Sequence, residues 1–382
     1  MKTVTIVGAR PQIIKAAALS RAIKTRFSKQ IEEIIVHTGQ HYDVNMSEVF
    51  FNELGIPQPH RNLGIGSASH GKQTALMIQG IETILLEEKP DFLVLYGDTN
   101  STLAGTIAAS KLHVPIVHIE AGLRSFNKSM PEEINRIMCD HASTLLFVPT
   151  LAGIRNLEKE GFCIKSEAPF SIDNPGIFHC GDIMFDNLLH FSKTAEVNTS
   201  VIRDLSLKNK TFILCTIHRD NNTDIPERLN AIFGALNRIS EECGLEVVLP
   251  MHPRTSKLLK ERLQPSVYQS VTKNKSIRLS PPVSYLEMIA LEKNASLILT
   301  DSGGVQKEAY FFKKPLVVAR PETEWTEIIE NGAGIIADAD EEKIVKSVTE
   351  LLNNIDLRFP EVFGDGHAAE FICSKMLSIC NS

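Results

Sequence analysis

Residues 91–112 read "DFLVLYGDTNSTLAGTIAASKL". Phe92–Tyr96 is a short apolar run, the pattern of a strand buried on both faces. Gly97 and Asp98 break the run, and Thr99, Asn100 and Ser101 are good helix caps. The residues that follow are small, which suits a helix lying close on a sheet. The stretch reads as one strand–turn–helix unit.

The same unit recurs on either side. "TVTIVG" (3–8), "IEEIIVHTG" (31–39), "VPIVHIE" (114–120) and "TLLFVPT" (144–150) read as strands. "IIKAAALSRAI" (13–23) and "QTALMIQGIETILLEE" (73–88) have helical spacing between them. Short strands alternating with helices predict an α/β protein with a parallel sheet covered on both faces. "SEAPFSIDNPGIFHCGD" (166–182) then has Pro, Gly and Asp at loop density and is expected to be a linker or irregular crossing. A second series follows: "TFILCTIH" (211–218), "EVVLPMH" (246–252), "IRLSPPV" (277–283), "ASLILTDSGG" (295–304), "PLVVAR" (315–320) and "AGIIAD" (333–338). With 382 residues, two domains are expected. The reading is two Rossmann-like domains, 1–170 and 171–365, facing across a cleft, with a C-terminal helix within 366–382 packing back on the first.

Composition narrows the function. The chain is 43% apolar and 23% charged, with a formal net charge of −6, which argues against a nucleic-acid partner. No segment approaches ~20 apolar residues, so no membrane span is expected. The seven cysteines are scattered singly without metal-type spacing and read as reduced thiols of a cytoplasmic protein.

In such sheets ligands bind beyond the carboxyl ends of strands. Those ends carry Gly8, Arg10 and Lys15; Asp98; Glu120; His218 and Arg219; and Ser302, Gly303 and Gly304. Neither GxxxxGK[ST] nor GxGxxG is present after the first strand, and "GIGSASHG" (64–71) does not follow a strand. The Ser302–Gly304 turn opens a helix, where free N–H groups and the helix dipole favour a phosphate. Glu308, inside that helix, can accept from two vicinal ribose hydroxyls; read alone, the turn is also an ordinary loop with a solvated glutamate. In "HIEAGLRSFNKSMPEEINR" (118–136), Pro131, Glu132 and Glu133 suit a first helical turn, whereas Glu120 has no such local reason. Carboxylates grouped at strand ends make sense where a proton is moved.

Taken together, "GARPQIIK", "YGDTNSTLAG", "HIEAGLRS", "MPEEINR", "TIHR", "LTDSGGVQKEA" and the terminal "GDG" resemble the non-hydrolysing UDP-N-acetylglucosamine 2-epimerases over essentially the whole chain. That resemblance implies the GT-B fold, a UDP-sugar substrate, no cofactor or metal, and a homodimer. It implies that Asp98, Glu120 and Glu132 transfer protons. Lys15 and Arg10 would lie at the sugar and diphosphate. His218 would lie at the diphosphate, Ser302 and Gly303 would hold phosphate through the backbone, and Glu308 would clamp ribose; Arg219 and Gly304 join them by their place beside these residues. Departures are Gln12 in "RPQ", Asp220 and Asn221 in "HRDN", and Trp325 in "ETEWTE". These resemble the branch acting on UDP-2,3-diacetamido-2,3-dideoxyglucuronate, with Arg320 or a nearby lysine as a substitute charge. A hydrolysing epimerase, a GT-B glycosyltransferase and a silent nucleotide-sugar sensor are the competing readings.

Overall fold

A computed structural model describes residues 1–39, 58–208 and 211–380. The chain forms two compact units, residues 1–187 with 361–382, and residues 188–360.

The first unit holds a parallel sheet of β1 (Lys2–Val7), β2 (Glu32–His37), β3 (Arg61–Asn62), β4 (Phe92–Tyr96), β5 (Ile116–Ile119), β6 (Leu145–Val148) and β7 (Gly176–His179). Its order is β3-β2-β1-β4-β5-β6-β7. β1 therefore has β2 on one side and β4 on the other, with Val4 opposite both Ile34 and Leu93. The order reverses between β1 and β4, so their carboxyl ends flank the crevice where ligands bind in open α/β sheets. Val4, Ile6, Val36, Leu93 and Leu95 are fully buried, covered by Met77 and Ile81 of the His70–Glu88 helix. Ala104, Ala108 and Ala109 of the Asn100–Leu112 helix share that core, where their size allows close approach to the sheet.

The second unit repeats the plan with β8 (Phe212–Thr216), β9 (Glu246–Pro250), β10 (Ile277–Ser280), β11 (Leu297–Thr300), β12 (Leu316–Val318) and β13 (Gly334–Ile336). The order is β10-β9-β8-β11-β12-β13, all parallel, and here the reversal falls between β8 and β11. Leu229, Ile232, Phe233, Leu236 and Ile239 recur at helical spacing along Pro226–Glu242 and are fully buried against Ile213, Val247 and Leu249.

Of the stretch 166–182, residues 166–175 are irregular, but Gly176–His179 form the edge strand of the first sheet. β7 pairs with β6 from Leu145↔Gly176 to Val148↔His179, and Phe178 stacks on Phe147 at 5.5 Å between centroids. Four apolar-rich residues suffice for a short edge strand inside a Pro/Gly-dense segment, and the first unit runs to residue 187 rather than 170. A two-residue strand, β3, also precedes Gly64, where none was expected. The Ala368–Cys380 helix belongs to the first unit. Its first N–H groups, those of Ala368 and Ala369, donate to Asp186 at 3.1 and 2.8 Å. Residues 381 and 382 lie outside the described residues. No described helix is long and apolar enough to cross a membrane.

Candidate active site

In the first unit, β4 delivers Asp98 and β5 delivers Glu120. Thr99 caps the Asn100–Leu112 helix, its hydroxyl accepting from Thr102 N at 3.3 Å, which leaves the Asp98 carboxylate for other work. That carboxylate pairs with Arg136, while Asn135 Nδ2 donates to the Asp98 carbonyl at 2.9 Å. Glu120 pairs with Lys15, and both side chains are largely buried. Buried ions stripped of water persist only when paired, so Lys15 and Glu120 hold one another in place. Gly97, at φ +58°, links the two acids, and a Cβ there would lie 3.1 Å from Glu120 Oε2 and 3.2 Å from Lys15 Nζ. Glu120 itself has φ +74°, uncommon for a residue with a Cβ and frequent at functional sites.

The helix Pro131–Ala142 separates its two glutamates. Glu132 is exposed in the first turn and makes no ion pair with Lys15 or Arg136 among the described residues. Glu133 is buried; it accepts from Ser125 N and Phe126 N at 3.0 and 2.9 Å and pairs with Arg136 Nη1 at 2.9 Å. Glu133, Arg136 and Asp98 thus form a chain of charges. Arg10 is exposed in the first turn of the Arg10–Ala22 helix.

These residues adjoin a polar layer of which sequence reasoning singled out only Gln12. His118 is fully buried, with Nδ1 2.7 Å from Asp140 Oδ1 and Nε2 2.9 Å from the Gly97 carbonyl oxygen. Both ring nitrogens face acceptors, and only the imidazolium has two N–H groups to give. Burial opposes that charge, but Cys139 and Asp140 hold the ring well above its ordinary value. Asp140 also accepts from Gly122 N at 3.1 Å and Arg124 Nη1 at 2.7 Å. Arg124 in turn makes a bidentate pair with Glu160 at 2.6 and 2.7 Å. Gln12 closes the layer from the other side. Its Oε1 accepts from Gly8 N at 2.9 Å and Ala9 N at 3.2 Å, and its Nε2 donates to the Tyr96 carbonyl and Thr102 Oγ1, both at 3.0 Å. The available signals were a histidine and a glutamine within otherwise apolar strand and helix patterns.

In the second unit, β8 and β11 are neighbours, with Thr216 opposite Thr300. Asp301, fully buried just beyond β11, accepts from His218 N at 3.1 Å, Arg219 N at 3.0 Å and Asn222 Nδ2 at 3.0 Å. It is the anchor of the His218–Arg219 turn and was not singled out from sequence. His218 Nδ1 lies 3.3 Å from Asp301 Oδ1. Burial lowers the His218 pKa below the ordinary 6.5, with Arg219 and His252 acting in the same direction against Asp301. Arg219 is exposed.

Ser302 stands at the N-cap of the Gly303–Phe311 helix, and its side chain makes no capping bond. Gly303 packs so closely that a Cβ would sit 2.8 Å from Glu324 Oε1, whereas Gly304 is exposed. Backbone N–H groups at that end suit a phosphate. Glu308 is buried, at 6% exposure, so it is not a solvated helix residue. Arg320 pairs with Glu324 at 3.0 Å, so its charge is already matched. Trp325 is buried with Lys307 Nζ 4.2 Å from its ring centroid, a cation–π contact. Among the described residues, no group of three His, Cys, Asp or Glu side chains is placed to hold a metal.

Residues 23–377 match the family model of UDP-N-acetylglucosamine 2-epimerase. The chain is 47% identical over 379 residues to UDP-2,3-diacetamido-2,3-dideoxy-D-glucuronate 2-epimerase of Pseudomonas aeruginosa, covering 99% of this chain and 100% of that one. It is 47% identical over 370 residues to a UDP-N-acetylglucosamine 2-epimerase homolog of Methanococcus maripaludis, covering 97% of both. It also matches the crystal structure of Methanocaldococcus jannaschii UDP-GlcNAc 2-epimerase in complex with UDP-GlcNAc and UDP. That match has a TM-score of 0.85 at 42% identity, over 99% of this chain and 100% of that one. The two parallel sheets are those of the GT-B fold. The chain belongs to the UDP-N-acetylglucosamine 2-epimerase family.

Proposed function

We propose that the protein inverts C2 of a UDP-2-acetamido sugar without hydrolysing it. The observation that carries this reading is the pair of strand-end carboxylates, Asp98 and Glu120, each matched to its own cation. A C2–H beside an acetal carbon is too weakly acidic for simple deprotonation. Elimination avoids a free carbanion: a carboxylate takes the C2 proton, the C1–C2 double bond forms, and the C1–O electrons leave with UDP. Re-addition of UDP, with a proton delivered to the opposite face of C2, returns the epimer. Two faces of C2 need proton donors or acceptors, which is why more than one of Asp98, Glu120 and Glu132 is useful.

Lys15 serves the acids as an electrostatic partner, and Arg10 serves the departing diphosphate. His218, Arg219 and the backbone of Ser302, Gly303 and Gly304 stabilise the charge that develops on UDP, the usual largest contribution to such a step. Glu308 takes the ribose hydroxyls. Arg320, tied to Glu324, shapes the turn beside Gly303. The protein works as a cytoplasmic homodimer in the supply of surface-polysaccharide precursors.

The test is incubation in D2O with UDP-N-acetylglucosamine and, separately, UDP-2,3-diacetamido-2,3-dideoxyglucuronate, followed by NMR. Deuterium at C2 of a UDP-linked epimer is expected with one of them. Free sugar and UDP as the products would instead indicate a hydrolysing enzyme, and transfer to an added acceptor without C2 exchange a glycosyltransferase.

A further inference from the structure

Glu292 sits on the Tyr285–Asn294 helix with no exposed surface. Among the described residues, no amide, hydroxyl or cation donates to either of its carboxyl oxygens. Its helix packs on the Gly303–Phe311 helix, whose buried Glu308 is the second carboxyl acting on it. A carboxylate removed from water without a donor costs several kcal/mol, and two in contact cannot both ionise. They can bond only by sharing a proton. The residue that keeps it is the more deeply buried one: Glu292 is 0% exposed and Glu308 6%. Burial and the neighbouring Glu308 carboxylate both push Glu292 well above the ordinary carboxyl value. An apolar side chain would fill the same space without this cost, so the acid is explained by what its proton does.

We infer that Glu292 is a positioning residue for the nucleotide: its O–H donates to the Glu308 carboxylate and holds it in the orientation that receives the ribose hydroxyls of a uridine diphosphate. Glu292 itself does not touch the ligand. This rests on reading Glu308 as the ribose contact. Held by that bond, the Glu308 side chain cannot swing among its rotamers, and its carboxylate accepts from the ribose at little entropic cost.

The test is calorimetric affinity for UDP and for 2′-deoxy-UDP in the wild type and in Glu292→Gln, Glu292→Leu, Glu292→Asp and Glu308→Gln. Loss of one hydrogen bond to a charged group corresponds to about tenfold or more, so the wild type should prefer UDP by that factor. Glu292→Gln, whose amide still donates, should keep the preference within about threefold. Glu292→Leu should bring it down to about threefold or less, and Glu292→Asp, one methylene short, should lower it as well. Wild-type preference in both Glu292→Leu and Glu292→Asp overturns the inference. If Glu292→Leu does not fold, Glu292→Asp decides alone. Undiminished preference in Glu308→Gln overturns the ribose reading itself, and the inference falls with it.

Discussion

His118 Nε2 donates to the carbonyl oxygen of Gly97 at 2.9 Å. One imidazolium, in the middle of β5, thereby holds the turn at the end of β4 that presents Asp98. The residues proposed to move protons are set by a buried layer that touches none of the chemistry.

That layer should dominate local stability. His118→Ala removes a buried partner of Asp140 and is expected to cost about 3 kcal/mol, with a matching fall in Tm. The pH dependence has a definite sign. Asp140 is lowered below the ordinary 3.8: burial alone would raise it, but His118 and Arg124 outweigh that. Its contribution is present above 3.8 and is lost as pH falls through the lowered folded value. His118 is raised, so its contribution is present below 6.5 and is lost as pH rises through the higher folded value. The Tm difference between wild type and Asp140→Asn should be full from about pH 4.5 to 6.5 and narrow on both sides. A difference constant from acid to alkali would contradict this arrangement.

The two glutamates of the Pro131–Ala142 helix should respond differently. Glu132→Gln is expected to leave Tm unchanged, since the side chain is exposed, and to lower kcat by about 10²–10⁴-fold. Glu133→Gln should lower Tm, because the buried carboxylate holds Ser125 N, Phe126 N and Arg136. Asp98→Asn and Glu120→Gln should each cost about 10²–10⁴-fold in kcat while largely sparing UDP affinity. Steady-state kinetics alongside thermal melts separates the four.

Gln12→Glu replaces the amide that donates to Tyr96 and Thr102 with a group that has no N–H. Each acceptor keeps another donor, Thr102 Oγ1 for the Tyr96 carbonyl and Thr99 N for Thr102 Oγ1, so the cost is that of the lost bonds alone, about 1 kcal/mol. Denaturant titration should show that loss, and Gln12→Glu should bring kcat down with it through the Gly97–Asp98 turn. Full stability in this variant would mean the amide contacts are dispensable.

His218 should take up a proton when a UDP-sugar binds. Burial lowers its pKa, so the ring is neutral in the free protein near pH 7, and diphosphate oxygens favour the protonated form. Affinity is therefore expected to strengthen as pH falls toward about 6. Calorimetry in buffers of different ionisation enthalpy measures the uptake, and His218→Ala should abolish it. No uptake in the wild type would place His218 away from the diphosphate.

Much of this protein is local in sequence and was legible there. Alternating apolar runs and amphipathic segments specify strands and helices because burial periodicity acts over a few residues. The turns after those strands carry Asp98, Glu120, His218 and Ser302–Gly304 in plain view. β7 escaped because four residues in a Pro/Gly-dense stretch carry little periodic signal; pairing with β6 makes them a strand. What only the tertiary structure decided is which charges meet. Lys15 finds Glu120 from 105 positions away, and Arg136 finds Asp98 across 38. Glu133 rather than Glu132 turns inward, and Glu308 lies on a second buried acid instead of in solvent. Such pairings follow from strand order and from the cost of burying an unmatched charge, and neither is written in any short stretch of the chain.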